Sequence, residues 1–205
     1  MPGQQLQTTG FVLAKQPSGS DAFEQLTVFS STDGILHCLR RVSQGKANGS
    51  TIDLFDETEL WLESSNQGRT WFIKEHRVIQ RSEGIGRSYE ALRAASSFAT
   101  LIIRNSVADE SRESITALLR STFTALAGGG RPDITWLKAL YCFLRDEGYP
   151  VKQQWWPALT ESDRETSVAL LNQPLSAQTA SPTSVTRITS QLETWLQAET
   201  EIRLR

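Results

Sequence analysis

Residues 8–42, TTGFVLAKQPSGSDAFEQLTVFSSTDGILHCLRRV, constrain the fold more than any other stretch. Residues 8–15 are apolar and rich in β-formers. Residues 16–21, QPSGSD, are a run of turn formers. Residues 24–31 alternate, with Leu26 and Val28 on one face and Thr27 and Phe29 on the other. Thr32-Asp33-Gly34 is a tight-hairpin signal. Residues 35–42 then read as a third strand, with Ile35, His37 and Leu39 on one face and Leu36, Cys38 and Arg40 on the other. Strands this short, joined by turns this tight, are neighbours in a sheet.

Two more strands follow. Residues 51–63 form the fourth, with an irregularity at Asp56-Glu57. Ile52 and Leu54 share a face before it, and Leu60 and Leu62 share one after it, opposite Glu59, Trp61 and Glu63. A bulge produces such a phase change, and small barrels need bulges to close. Residues 70–81 are the fifth. Residues 44–50 read as a mobile loop, residues 64–69 as a turn with Asn66 and Gly68, and residues 1–7 as a loose leader. Five short strands at this spacing predict a barrel of the OB type, whose sheet face and loops commonly bind single strands.

Glu83-Gly84-Ile85-Gly86 ends the strand pattern, and helical periodicity takes over. The expected class is therefore α+β, with an OB-fold DNA-binding domain over residues 1–83 and a helical domain over residues 84–205. Ser88 caps a helix to about Arg104, with Leu92, Ala95, Phe98, Ala99 and Ile102 as its buried stripe. Asp109-Glu110 opens a second helix, which Gly128-Gly129-Gly130 ends. Asp133 caps a third after Pro132. Apolar side chains surround that helix almost completely, which makes it the centre of the domain. Gly148 stops it. Thr160 with Asp163 is a capping-box-like start for a fourth helix, which stops near Pro174. Residues 175–184 read as a linker or long loop, and residues 185–202 as the last helix, with Ile188, Leu192, Trp195 and Leu196 on one face.

Composition narrows the class. Charged residues are 21% of the 205, too few for a disordered chain. The formal net charge is -2, and residues 1–87 hold 9 Lys and Arg against 10 Asp and Glu. A nucleic-acid site here must come from local clustering, not from a net field. Two distant cysteines, Cys38 and Cys142, make no disulfide framework and fit a reducing cytoplasm. No signal peptide or membrane-length apolar run is evident.

The ordered motifs Thr8-Thr9-Gly10, Val12-Leu13, Ser20-Asp21, residues 26–30 (LTVFS), Asp33-Gly34-Ile35 and Arg40-Arg41 resemble the N-terminal domain of the RecO family of recombination mediators. The likeness continues at Asp53-Leu54-Phe55, Glu59-Leu60, Ile73-Lys74-Glu75, residues 89–101 and residues 137–150. The resemblance implies a non-enzymatic protein that binds and anneals single-stranded DNA in recombinational repair. It also implies help in loading the recombinase onto strands coated by single-strand-binding protein (SSB). RecR and the acidic, aromatic-ended SSB tail are the implied partners, and a cytoplasmic, nucleoid-associated place the implied setting. Some family members carry paired C-x-x-C motifs in the helical half. This chain instead has Trp155-Trp156-Pro157, so tryptophan packing stands where a metal staple would.

The expected DNA-binding cations are Lys15, Arg40, Arg41, Lys46, Lys74 and Arg77, with Arg69 and Arg81 nearby in sequence. Phosphates need such cations, and Phe29 or Trp61 could stack bases. The same charges read equally as a solvated surface beside core aromatics. The expected partner-binding residues are Arg131, Trp136, Lys138, Leu140 and Arg145, an apolar stripe beside cations suited to a terminal carboxylate. Asp53, Asp56, Glu57, Glu59 and Glu63 could hold Mg²⁺ in a nuclease, but alternation splits them between two faces. A solvated sheet edge explains them better. His37, His76, Cys38 and Cys142 lack zinc-ligand spacing. Neither a dinucleotide fingerprint, a phosphate loop nor a G-x-S-x-G elbow is present. No metal, cofactor or catalytic residue is expected. The alternatives are an interaction adaptor without DNA binding and a metal-dependent nuclease.

Overall fold

A computed structural model describes residues 3–42, 51–64 and 67–204. The expected loop at 44–50, with Lys46, and the turn residue Asn66 lie outside the described residues. The architecture is α+β: a five-stranded sheet followed by helices. The strands are β1 (Gln4–Pro17), β2 (Phe23–Ser30), β3 (Gly34–Arg41), β4 (Glu57–Ser64) and β5 (Trp71–Gln80). The helices are α1 (Tyr89–Arg104), α2 (Arg112–Ala127), α3 (Pro132–Asp146), α4 (Trp155–Ala158), α5 (Glu161–Asn172) and α6 (Pro182–Glu199).

The chain divides into two compact units. One holds the residues up to Ser82 with Arg112–Arg120, and the other holds Glu83–Ser111 with the residues from Ser121 on. The first half of α2 thus belongs with the sheet, where the sequence reading had placed all of it in the helical part.

In the first unit the ladder runs β1-β2-β3-β5-β4 and closes between β4 and β1. All pairs are antiparallel except β3 with β5. Alternation drives this packing. Val12, Leu26, Val28, Leu36, Cys38, Ile52, Leu60, Leu62 and Trp71 point inward and form one apolar cluster. Burial pushes the Cys38 thiol up to about 12, so it behaves as a small apolar side chain. Phe11 and Phe29 lie outside this cluster and are nevertheless buried. Gly10 is needed where β1 and β2 approach closely, because a Cβ there would stand 2.5 Å from the Phe29 carbonyl oxygen.

Three details differ from the sequence reading. Residues 4–7, expected as a loose leader, extend β1 and pair with Ser64 through Trp61. The fourth strand begins at Glu57, not at residue 51, because residues 51–56 turn back to bridge an irregularity in β1. The Phe55 N–H donates to the Val12 carbonyl (2.8 Å), and the Val12 N–H donates to the Asp56 carbonyl (3.0 Å). Phe55 reaches this with a φ of 67°, a costly conformation for a bulky residue. The expected irregularity in β4 is present as a register shift at Glu57/Thr58.

The second unit is helical. Ser88 and Thr160 cap α1 and α5 as expected, each accepting from the N–H three residues on. Asp133 does not cap α3. Arg131 occupies that position, Pro132 starts the helix, and Asp133 instead binds the Arg131 guanidinium. The last helix starts at Pro182, capped by Ser181, three residues earlier than its apolar stripe announces. Leu137, Leu140, Phe143 and Leu144 of α3 are fully buried, as a central helix requires.

Candidate functional site

Adjacent residues on a strand point to opposite faces, and this decides what each cation of the first unit does. Arg40 shares the inward phase of Leu36 and Cys38. Its guanidinium binds Glu24, its cross-strand partner, and donates to the Ile52 carbonyl at 3.4 Å. The Lys15 ammonium donates to that same carbonyl and to Asp53 Oδ1, both at 3.2 Å. Lys15 and Arg40 therefore close one end of the sheet's interior; they are not presented as a phosphate strip. Backbone and Lys15 contacts hold the Asp53 carboxyl below its usual range despite the opposing effect of partial burial.

Lys74 and Arg77 lie on β5 against β4. Lys74 Nζ is 2.6 Å from Glu63, and Arg77 is 2.6 Å from Glu59, its register partner. Gln7 also donates to Glu59 (2.9 Å). These charges are paired across strands, which tempers their attraction for phosphate. The acidic stretch is thereby accounted for: Asp53 faces Lys15, Asp56 faces Arg81, Glu57 faces Arg120, Glu59 faces Arg77 and Glu63 faces Lys74. Burial raises the Asp56 carboxyl even with Arg81 at 2.9 Å. Among the described residues no three of His, Cys, Asp and Glu gather to hold a metal.

Arg41 takes the outward phase and is exposed. Opposite it in the ladder stands Phe23, and Leu39 pairs with Gln25 on one side and Phe72 on the other. Phe23 and Phe72 meet edge to face, 5.9 Å between centroids. Beside them is a groove of about 350 Å³ lined by Ser18, Gly19, Phe23, Gln25, His37 and Thr70. Its floor is the outer face of β2 and β3. Its rims are the β1–β2 turn and Thr70, which is preceded by the exposed Arg69. This face gathers aromatic rings, an exposed imidazole and flanking guanidinium groups. Phe29, expected to stack bases, is wholly buried, and Trp61 stands on β4. Phe23 and His37 as groove residues, and Phe72 as the ring packed against Phe23, are not among the residues expected from the sequence. The signal was there for Phe23 and His37, since both share Arg41's parity across a predicted hairpin. Phe72 needed the parallel β3–β5 pairing, which no local pattern announces.

In the second unit, the expected partner-binding residues fall in different places. Leu140 is fully buried and presents no surface. Lys138 donates to the Gln173 carbonyl at 2.6 Å, and burial lowers its pKa. Arg145 pairs with Asp146. Arg131 and Trp136 do come together, in a groove of about 630 Å³ that also takes in Arg93, Val185 and Leu204. There the Trp136 indole donates to Glu193 (3.0 Å), and Arg131 is held by Asp133 and the Ala180 carbonyl. Arg93, missed in the sequence, is exposed on α1. Trp155 is buried, packed against Tyr141 (6.1 Å) and Trp156 (6.0 Å between centroids). Among the described residues no helix is long and apolar enough to cross a membrane. No protein-family model matches the chain, and no curated protein matches it.

Proposed function

We propose that the first unit is an OB-fold barrel that binds single-stranded DNA across the outer face of β2 and β3. The observation that carries this reading is the groove lined by Phe23 and His37, with Phe72 packed on Phe23, flanked in register by the exposed Arg41 and in sequence by the exposed Arg69. The strand order β1-β2-β3-β5-β4 supports the fold assignment, because it puts this face and the β1–β2 and β4–β5 turns together. Base stacking on aromatic rings is tolerant of sequence, and guanidinium groups at the rim neutralise phosphates. Lys46 lies outside the described residues and stays, from its place in the sequence alone, the third proposed DNA-binding cation.

On this reading the chain is a recombination mediator of the RecO kind. It anneals single strands and helps load the recombinase onto SSB-coated DNA, with RecR as a partner. Annealing needs no nucleophile; it needs phosphates neutralised while base edges stay able to pair. The groove with Trp136, Arg93 and Arg131 is assigned to the SSB tail: an apolar wall beside two cations, with Glu90, Asp133 and Glu193 also in its lining and Arg131 already held by Asp133. The tryptophan cluster around Trp155 does the work of the metal staple of some relatives.

The extensive pairing of the other cations favours one second reading, an adaptor that has lost DNA binding. Titrating the protein into fluorescent oligothymidylate without magnesium separates the two. Saturable binding supports the mediator, and none supports the adaptor. Cleavage appearing only on addition of metal would support a nuclease instead.

A further inference from the structure

His37 shares a property with Arg41 and Arg69. Among the described basic residues of the first unit, these three have no hydrogen bond or ion pair to another described residue. Lys15, Arg40, Lys74, Arg77, Arg81 and Arg120 each meet a carboxylate. The three also gather at one groove. His37 lines it with Phe23 and Gln25, Arg41 follows on the same face of β3, and Arg69 precedes Thr70 on the rim. His37 is exposed, and its cross-strand partner Thr27 carries no charge. The elements around it bring few charges. The β1–β2 turn brings Asp21, β2 brings Glu24, and β3 brings Arg40 and Arg41. Glu24 and Arg40 bind each other. The charges of β5 start at Lys74, beyond the two residues that pair with β3, and Lys74 is bound to Glu63. Among the described residues no carboxylate lines the groove. Its other titratable group, Cys38, is pushed up to about 12 by burial.

We infer that His37 is a proton-switched phosphate contact. Protonated, it binds the backbone of a single strand seated in the groove; neutral, it does not. This rests on the single-strand reading of the groove. Histidine is the side chain whose charge ordinarily changes between pH 5 and 8. A phosphate beside an imidazole favours the charged form. Affinity is therefore higher at the acid end of this range and falls as pH rises through it. His37 and Arg41 are four residues apart, about 13 Å along the strand. They meet different phosphates, and their contributions to the salt dependence add. An imidazole that served only as a stacking surface would add nothing to the salt dependence on protonation.

Anisotropy of labelled oligothymidylate with the full chain, in salt series at pH ~5.5 and pH ~7.5, tests this. Neither thymine nor the phosphodiester titrates in that interval. At the lower pH the slope of log affinity against log salt is expected to be more negative by about 0.7, with binding about fivefold tighter at ~0.1 M salt. His37→Gln is expected to lose both changes. His37→Lys carries a fixed charge and is expected to show the steeper slope at both pH values. His76→Gln, at the chain's other histidine, is expected to keep the parent's response. A parent slope that does not change with pH, a response that survives in His37→Gln, or one lost in His76→Gln would each overturn the inference while leaving the single-strand reading standing. No binding by the parent at either pH would remove that reading, and this inference with it.

Discussion

Arg40 and Arg41 are neighbours in sequence and do different things. Arg40 shares the interior's phase and satisfies Glu24 and the Ile52 carbonyl, while Arg41 faces out beside Phe23. Removing Arg40 leaves a mostly covered carboxylate short of a partner, with Lys15 still 4.0 Å away. Arg40→Ala is therefore expected to cost about 1–3 kcal/mol of stability in urea denaturation, with little change in DNA affinity beyond that. Arg41→Ala is expected to change stability by less than about 0.5 kcal/mol and to weaken DNA binding. The sequence made the strand phase of both residues legible. It did not reveal that Glu24 and Ile52 wait at the inward position, because those contacts cross strands and a connection. Nor could it separate Lys74 and Arg77 from the proposed binding face, since that depends on which strand β5 pairs along each edge.

At the scale of elements, two ion pairs fix helices, one in each unit. Arg120 on the first half of α2 forks onto Glu57 through Nε (3.0 Å) and Nη2 (2.5 Å), and lies 5.8 Å from the Phe11 ring centroid. Glu57 is only 4% exposed. Arg120→Ala strands that carboxylate and is expected to cost about 3 kcal/mol, read from the shift of the denaturation midpoint. Glu57→Gln should lose less, because it removes the buried charge too. In the second unit Arg187 of α6 holds the Asp163 carboxyl of α5 below the usual carboxylate range. A lowered folded pKa means the contribution is present above the unfolded-chain value of about 3.9 and is lost as pH falls from there through the folded value. Asp163→Asn should flatten that part of a stability–pH curve and leave the slope above pH ~6 alone. The helices and their caps at Ser88 and Thr160 were legible because capping is local. The role of Arg112–Arg120 was not, since an apolar stripe says that a helix is covered and not by what.

For the whole molecule, the proposed DNA binding turns on charge placement. A net charge of -2 leaves no general field to attract DNA, and most cations of the first unit are spent on carboxylates. Binding should therefore rest on few phosphate contacts. Each contributes about 0.7 to the slope of log affinity against log salt on single strands, so Arg41, Arg69 and Lys46 together predict a slope of about -2. The most direct measurement is anisotropy of labelled oligothymidylate across a salt series, for the parent, for Arg41→Ala with Arg69→Ala, and for Arg40→Ala. The account predicts a slope near -2 for the parent, a magnitude smaller by about 1.4 in the double variant, and an unchanged slope in Arg40→Ala. An unchanged slope in the double variant, a loss confined to Arg40→Ala, or no binding by the parent at low salt would contradict it.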